Sequence, residues 1–556
     1  VLTVALEDYF QGRAFEGVVD QTRWSRFESR FEKNTIAALD LLRKHRAEAT
    51  FFVMDSVAVR HPAIVHEVVR QGHEIASAGS SRKSFRQLTQ VELREELRRT
   101  RGHIEGVTGQ KLRGFRVADR RLGPKDLWAL ETLAEEGFAY DSSLSPSLLH
   151  FRTQPWRRFV HHATFGARGI WEVPLTSWSM LGCMAPIAGG NYFRQFPESL
   201  IRGAVDRWAR QNQAPFVMYF RVWDLDLDQP QITGAPLLAR VRHYRNADKM
   251  PALLSEFLTR YRFTSIENYL ELAAAEPAAI RSPVPAAAPI RTRYEARTPV
   301  TVVVPCFNEE ESLPYLANTL RELDETLDHA YELRYIFVND GSSDGTLALL
   351  RKLFADETRF TVLDHGKNRG VAAAILSGIR AARTQIVCSI DCDCTYDPRE
   401  LRHMIPMLRD GIDMVTASPY HPLGSVVNVP GWRLALSRGA SWIYGLILRQ
   451  PIHTYTSCFR VYRRDRVTQI ELHEKGFLGI AELVGEMTLR GSKMVEHPAT
   501  LETRMLGTSK MRVARTLVGH LRLMARLTRQ RLAQVRKVER EATPAELPET
   551  TEIIKT

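Results

Sequence analysis

The sequence predicts an α/β protein built as two domains, and three observations carry that prediction. In the second half, short apolar runs end abruptly in acidic or glycine-rich turns and pass straight into helical patterns; Tyr335 to Asn339 runs into Asp340-Gly341-Ser342-Ser343-Asp344-Gly345, and a helix opens at Thr346 with Leu347, Leu349, Leu350 and Leu353. A chain of 556 residues is too long for a single core. The stretch from Ala273 to Pro289 is dominated by Pro and Ala, so it reads as an extended, semi-rigid connection, and the linker is set at 273–297. With 44% apolar and 25% charged residues the composition is that of ordinary globular protein, and there is no internal repeat.

The elements of the second half follow in order. Val300 to Val304 is a strand that ends in Pro305-Cys306-Phe307-Asn308-Glu309-Glu310, a polar cap before another helix. Tyr335 to Asn339 is the next strand. In an open α/β sheet, ligands sit in the crevice at the carboxyl ends of the strands, which places Asp340 and Asp344 to hydrogen-bond a base or ribose. Gln385 to Ile390 is a third strand, and it delivers Asp391 and Asp393 at its exit. Alternate residues of a strand share a face, so both carboxylates point at one hard cation, and a cation held there neutralises a diphosphate leaving group.

From Thr298 to Lys510 these landmarks, with Gly366-Lys367-Asn368-Arg369-Gly370 and Thr456-Ser457-Cys458-Phe459-Arg460, resemble the family 2 glycosyltransferases of the GT-A fold. The resemblance implies a nucleotide-diphosphate sugar as donor, Mg²⁺ or Mn²⁺ on Asp391 and Asp393, and inversion at the anomeric carbon by direct displacement. It assigns the donor side to Pro305, Asn308, Glu309, Asp340, Asp344, Lys367 and Asp391. Within the family the segment is similar to the dolichyl- and polyprenyl-phosphate mannose synthase branch, through Trp432-Arg433 with Ser437, Lys475-Gly476-Phe477 leading to Glu482, and Arg504-x-x-Gly507-x-Ser509-Lys510. The implied acceptor side is Arg433, Ser437, Arg460, Arg504, Ser509 and Lys510. Arg433 and Ser437, spaced i and i+4, grip one phosphate on this reading and belong to an amphipathic surface helix on the other. In that branch an Arg follows the position of Ser418, where this chain has Pro419, so one acceptor-phosphate contact is missing.

A polyprenyl-phosphate acceptor is already an anion at neutral pH and needs no general base; a glycan hydroxyl needs one, for which Glu482 or Asp393 is the candidate.

Residues 1–272 resemble the polysaccharide deacetylase (NodB-homology) family. The match runs through Glu7-Asp8-Tyr9-Phe10, Ala49-Thr50-Phe51-Phe52, Gly72-His73-Glu74, Gly114-Phe115-Arg116, Tyr140-Asp141-Ser142-Ser143, Glu172-Val173-Pro174 and Arg242-His243-Tyr244. The implied fold is an irregular (β/α) barrel with its site at the strands' carboxyl ends. That family holds a metal with one Asp and two His of a Ser-His-x-x-x-His run, which here reads Ser77-Ala78-Gly79-Ser80-Ser81-Arg82; neither Ala nor a guanidinium supplies a lone pair. Ala5 stands in the slot of the base, Arg221-Val222-Trp223 replaces His-Pro-Trp, and Arg116-Val117-Ala118 replaces Arg-Ala-Pro. This reads as a catalytically inactive domain, and Arg82 or Arg221 is expected to pair with the Asp8 carboxylate that has lost its metal.

The six cysteines, at 183, 306, 388, 392, 394 and 458, read as buried thiols rather than a disulfide frame or a zinc site, and His161, His162 and His243 as ordinary polar residues. The net charge of +12 is concentrated in 511–540, a basic amphipathic helix suited either to an anionic membrane surface or to packing on its own domain, with nucleic acid not expected as a partner. Residues 541–556 read as a disordered tail. With no signal peptide or transmembrane run, the expected location is cytoplasmic, peripheral on the inner membrane face. The leading expectation is an inverting, metal-dependent glycosyltransferase of polysaccharide or glycolipid assembly carrying a pseudo-deacetylase domain. The alternatives are a bifunctional enzyme with a rebuilt hydrolase site and a non-enzymatic glycan-binding scaffold.

Overall fold

Parallel strands covered on both faces are buried along their length, and the first strands of this chain are so, with polar Glu74 and Ser77 enclosed in the third. In the computed structural model, which describes residues 1–80, 85–118, 122–144, 154–180, 183–271, 297–354, 358–429, 431–507 and 513–542, β2 (Thr50–Val53) and β3 (Glu74–Ser77) are buried at every position and β1 (Leu2–Leu6) at all but Ala5. The chain divides into two units: Val1–Trp24 with Ser29–Pro230 and Ala235–Ile290, and Ser25–Glu28 with Gln231–Gly234 and Arg291–Thr556. The sequence carries no sign that the segments 25–28 and 231–234 group with the second unit. The expected linker lies outside the described residues up to 296, and the tail does so from 543.

The first unit continues with β4 (Gly114–Phe115), β5 (Tyr140–Asp141), β6 (His161–Phe165), β7 (Arg168–Glu172), the hairpin strands β8 (Ser177–Met180) and β9 (Cys183–Pro186), and β10 (Met218–Arg221). Its sheet runs β10-β1-β2-β3-β4-β5-β7-β6, parallel except for the β6–β7 pair. This is the irregular (β/α) barrel, and among the described residues no pairing closes β6 onto β10. Helices such as Phe31–His45 and Gln90–Thr108 cover the strands. The second of these is stopped at both ends by its own sequence. Thr89 Oγ1 accepts from Glu92 N while Glu92 returns a carboxylate oxygen to Thr89 N, and Gly109 ends the helix at φ 65°.

The second unit is a mixed seven-stranded sheet of GT-A type. Its strands are β11 (Thr298–Cys306), β12 (Tyr331–Asn339), β13 (Phe360–Asp364), β14 (Ile386–Ser389), β15 (Met414–Ser418), β17 (Arg460–Arg463) and β18 (Met494–Pro498), in the order β13-β12-β11-β14-β17-β15-β18; β16 (Ser425–Val427) and β19 (Thr500–Glu502) form a separate ribbon. Period-two alternation builds two cores. Val300, Val302 and Val304 pack on one side with Leu316 and Leu320, and Val303 on the other with Ile375 and Leu483. Gly378 allows the helix Val371–Ala381 to approach closely, since a Cβ there would stand 2.3 Å from Val303 Cγ1.

The basic tail helix, expected at 511–540, spans Val513–Ala542. Leu523, Met524 and Leu527 are buried against the helix Phe477–Leu489, and Leu527 fills the space that a side chain at Gly485 would take. Over this stretch the helix packs on its own unit.

Candidate active site

Strand register assembles the site. β11 pairs with β12 so that Cys306 stands beside Asn339, β12 pairs with β13 so that Asn339 stands beside Asp364, and β14 runs beside Val300–Val303. Four strand exits therefore lie side by side, carrying Asn308 and Glu309, Asp340, the His365–Gly370 loop, and Asp391 with Asp393. The expected strands are all present; β11 is longer than its apolar run suggests because Thr298, Pro299, Pro305 and Cys306 join the pairing, and β12 because residues 331–334 pair with residues 298–301.

The polar residues of these exits are engaged with one another. Asp340 accepts from the backbone N–H groups of Arg369 at 2.9 Å and Gly370 at 2.7 Å and faces His365 Nδ1 at 2.8 Å. Asp344 accepts from Thr346 N at 3.0 Å and Thr346 Oγ1 at 2.5 Å, at the start of the helix Thr346–Leu353. Both carboxylates expected on the base or ribose thus hold the loops that frame the crevice. Asn308, at φ 53°, donates its N–H to Ser342 Oγ and accepts from Ser343 N at 2.7 Å, tying the first exit to the second. Pro305 is a ladder residue of β11, and Lys367 is exposed on its loop. His365, which also meets Ser377 Oγ at 3.0 Å, escaped the sequence reading; its place directly before Gly366-Lys367 was the available signal.

Asp391 and Asp393 do emerge together. Burial and the charge of Asp393 push the Asp391 carboxyl up to about 7. Asp393 accepts from Thr395 N at 3.2 Å and from Arg504 Nε at 2.8 Å, while Arg504 Nη2 reaches Glu309 Oε1 at 2.6 Å. A guanidinium expected on the acceptor phosphate therefore bridges two carboxylates of the donor side. A carboxylate pair with one member held near neutrality by burial fits a hard divalent cation, whose charge would restore ionisation. Among the described residues no group of three or more His, Cys, Asp or Glu is arranged around a metal ion, so the pair would share its cation with ligand oxygens.

The remaining acceptor-side and catalytic candidates are dispersed. Arg460 is fully buried, donating to Ile480 O, Tyr455 O and Thr416 Oγ1. Ser437 lies on the helix Gly431–Leu448 and hydrogen-bonds Tyr420, whose ring lies under the Arg438 guanidinium. Arg433 is on the same helix with its side chain outside the described residues, as are Ser509 and Lys510 entirely. Glu482 has no exposed surface; it accepts from His473 N, Glu474 N and Arg526 Nη2 and faces His473 Nδ1 at 3.3 Å. Those donors occupy the oxygens that a general base would need.

In the first unit Asp8 is buried and accepts from Ser29 Oγ at 2.7 Å and Arg30 N at 2.8 Å. Arg221 does not supply its counter-charge: its Nε lies 2.7 Å from Glu7 Oε1 and its Nη1 4.0 Å from Asp224, while Arg82 lies outside the described residues. With neutral donors only, burial pushes the Asp8 carboxyl up to about 6. His243, expected as an ordinary polar residue, is buried, stacked on Trp223 at 4.1 Å and 2.9 Å from Gln229 Oε1. The described cysteines are free thiols.

Comparison with known proteins agrees with this geometry. Residues 301–470 match the model of glycosyl transferase family 2, residues 20–132 that of polysaccharide deacetylase, and residues 142–271 a domain of unknown function. A polyprenol monophosphomannose synthase of Mycolicibacterium smegmatis is 33% identical over 232 residues, 40% of this chain and 84% of that protein. An undecaprenyl-phosphate mannosyltransferase of Micrococcus luteus is 28% identical over 38% of this chain and 87% of its own length. A dodecaprenyl-phosphate galacturonate synthase of Rhizobium johnstonii is 28% identical over 39% of this chain and 63% of its own length.

Proposed function

Through its second half the chain belongs to glycosyl transferase family 2, and from that premise we propose that it moves a sugar, with inversion, from a nucleotide-diphosphate sugar to a polyprenyl phosphate at a membrane surface. The observation that carries this reading is the cluster of Asp391, Asp393, Glu309 and Arg504 at adjoining strand exits. A divalent cation on Asp391 and Asp393 would neutralise the departing diphosphate. Asp340 and Asp344 hold the surrounding loops in a fixed shape, so the site reorganises little as charge develops. Arg504 adds a guanidinium beside the carboxylate pair, where negative charge builds as the leaving group departs. A phosphate oxygen of the acceptor attacks the anomeric carbon, that carbon's bond to the diphosphate breaks, and no proton has to be removed. This suits a site in which Glu482 is already saturated with donors.

A membrane position for the acceptor is supported by the helix Gly431–Leu448, where Trp432, Leu436, Trp442 and Leu446 are exposed, together with exposed Val518 and Leu521 on the basic tail helix. Among the described residues no helix is long and apolar enough to cross a membrane. We assign no hydrolysis to the first unit, because Asp8 is left without the two histidines that would complete a metal site.

The test is transfer from a panel of radiolabelled nucleotide sugars to a polyprenyl phosphate in vesicles with Mn²⁺ or Mg²⁺. One donor is expected to yield a polyprenyl-phosphate sugar of inverted configuration, with at least a hundredfold loss in Asp391→Asn. Transfer that survives both chelation and Asp391→Asn would overturn the metal-dependent reading.

A further inference from the structure

The barrel of the first unit keeps a cavity at the carboxyl ends of β1 and β10, and its chemistry is not that of a hydrolase. It encloses about 80 Å³ and is lined by Arg13, Arg194, Arg221 and Arg242, with Tyr192, Tyr219, Trp223 and His243 among its walls; no carboxylate is among its lining residues. Room of this size takes several water molecules, or one oxyanion with part of the group that bears it.

The inner guanidinium groups are fixed in place. Arg194 is 1% exposed, donates through Nη1 to His243 O, and has Nη2 3.2 Å from Asp224 Oδ1. Arg221 is held by Glu7 and Asp224. Both lie against the Trp223 ring, 5.0 and 5.2 Å from its centre, and Arg221 lies 5.5 Å from that of Tyr219. Glu7 and Asp224, the carboxylates that Arg221 and Arg194 face, are not among the residues that line the cavity.

A second observation is independent of charge. Arg194 Nε and Trp223 Nε1 are buried N–H groups with no hydrogen-bond partner among the described residues, and both belong to side chains that line the cavity. Buried donors without acceptors are rare and costly, so an acceptor oxygen supplied by a ligand would relieve both.

We propose that this cavity is a binding site for a sugar carrying a carboxylate or phosphate group, with Arg194 and Trp223 donating to the oxyanion and Arg13 and Arg242 holding it at the rim. The replacement of the hydrolase residues then has a positive consequence: His-Pro-Trp becoming Arg221-Val222-Trp223 substitutes a fixed cation for a proton donor. The unit recognises an anionic glycan instead of deacetylating one.

Titration calorimetry on the full chain tests this with D-glucuronate, D-glucose 6-phosphate, inorganic phosphate and D-glucose. Saturable, salt-sensitive binding of glucuronate, glucose 6-phosphate or both is expected, with none of glucose; whichever binds names the oxyanion. Arg13→Ala with Arg242→Ala, both on exposed rim residues, should weaken it at least tenfold. Ala118→Leu, which adds bulk to a lining residue and removes no charge, should do the same. Asp391→Asn should leave binding intact, separating this site from the transferase. The proposal is overturned by no binding of either anionic sugar to folded protein, by undiminished binding in both cavity variants, by inorganic phosphate binding as tightly as the sugars, or by loss in Asp391→Asn.

Discussion

The motif around Arg504 marks it as an acceptor-side candidate but does not give the partner it takes, because a sequence does not state which anion a guanidinium reaches. Its bridge from Asp393 to Glu309 uses two directions of one planar group. Arg504→Lys cannot reproduce that bridge, and an initial-rate assay should show kcat lowered at least tenfold with the melting temperature little changed. Glu482 presents the opposite case. Its position after Lys475-Gly476-Phe477 suggested a base, whereas full burial beneath backbone donors and Arg526 makes it a clamp between the loop at His473 and the tail helix. Glu482→Gln strands the Arg526 charge, for which Glu474 at 3.5 Å is the other acidic partner, and should cost roughly 2–4 kcal/mol of stability. The clamp role is supported if the melt falls while the pH profile of turnover keeps its shape; a flattened acidic limb with an unchanged melt would restore the base.

At the scale of elements, apolar runs and turn residues located nearly every strand that carries the transferase site, since strand, turn and helix start are each written locally. The length of β11 was hidden because Pro305 and Cys306 do not look like strand residues until a neighbour pairs with them, and that of β12 because its polar start at 331–334 becomes strand only against residues 298–301. The loop that seats Asp340 depends on backbone shape. Gly370 has φ 97°, and a Cβ there would stand 2.4 Å from Gly476 N. Gly370→Ala should therefore cost roughly 2 kcal/mol or more and, by moving the N–H that Asp340 accepts, raise the KM for the sugar donor more than it lowers kcat. The helix Gly431–Leu448 shows why periodicity alone left its role open: Tyr444 and Leu448 are buried while Trp432, Trp442 and Leu446 are exposed, so one helix serves a core and a surface. Replacing Trp442 and Leu446 by Glu should lower co-sedimentation with anionic vesicles and leave the melt unchanged.

At the scale of the whole molecule, each unit carries buried charge that makes stability depend on pH. Glu74 in the first unit accepts from Thr50 Oγ1, Tyr140 Oη and Glu267 N, yet burial pushes its carboxyl up to about 7. The folded state therefore holds a proton that the unfolded state releases near 4.5, so this group's contribution is greatest below that pH and is lost as pH rises through 7. The stability difference between Glu74→Gln and the parent, followed by urea denaturation, should shift in favour of the variant by roughly 2–4 kcal/mol between pH 4 and pH 8. Local signals, which are chemical and short in range, were enough to establish two α/β domains, the transferase family, the carboxylate pair and the loss of hydrolase residues. What each charged side chain meets was settled only by packing: Arg221 with Glu7 instead of Asp8, Arg504 with Asp393 and Glu309, Arg526 with Glu482, and an arginine-lined cavity gathered from segments some two hundred residues apart. The physical reason is that a buried charge takes the nearest opposite charge or dipole that the assembled fold offers, and distance in space is not written in the order of the chain.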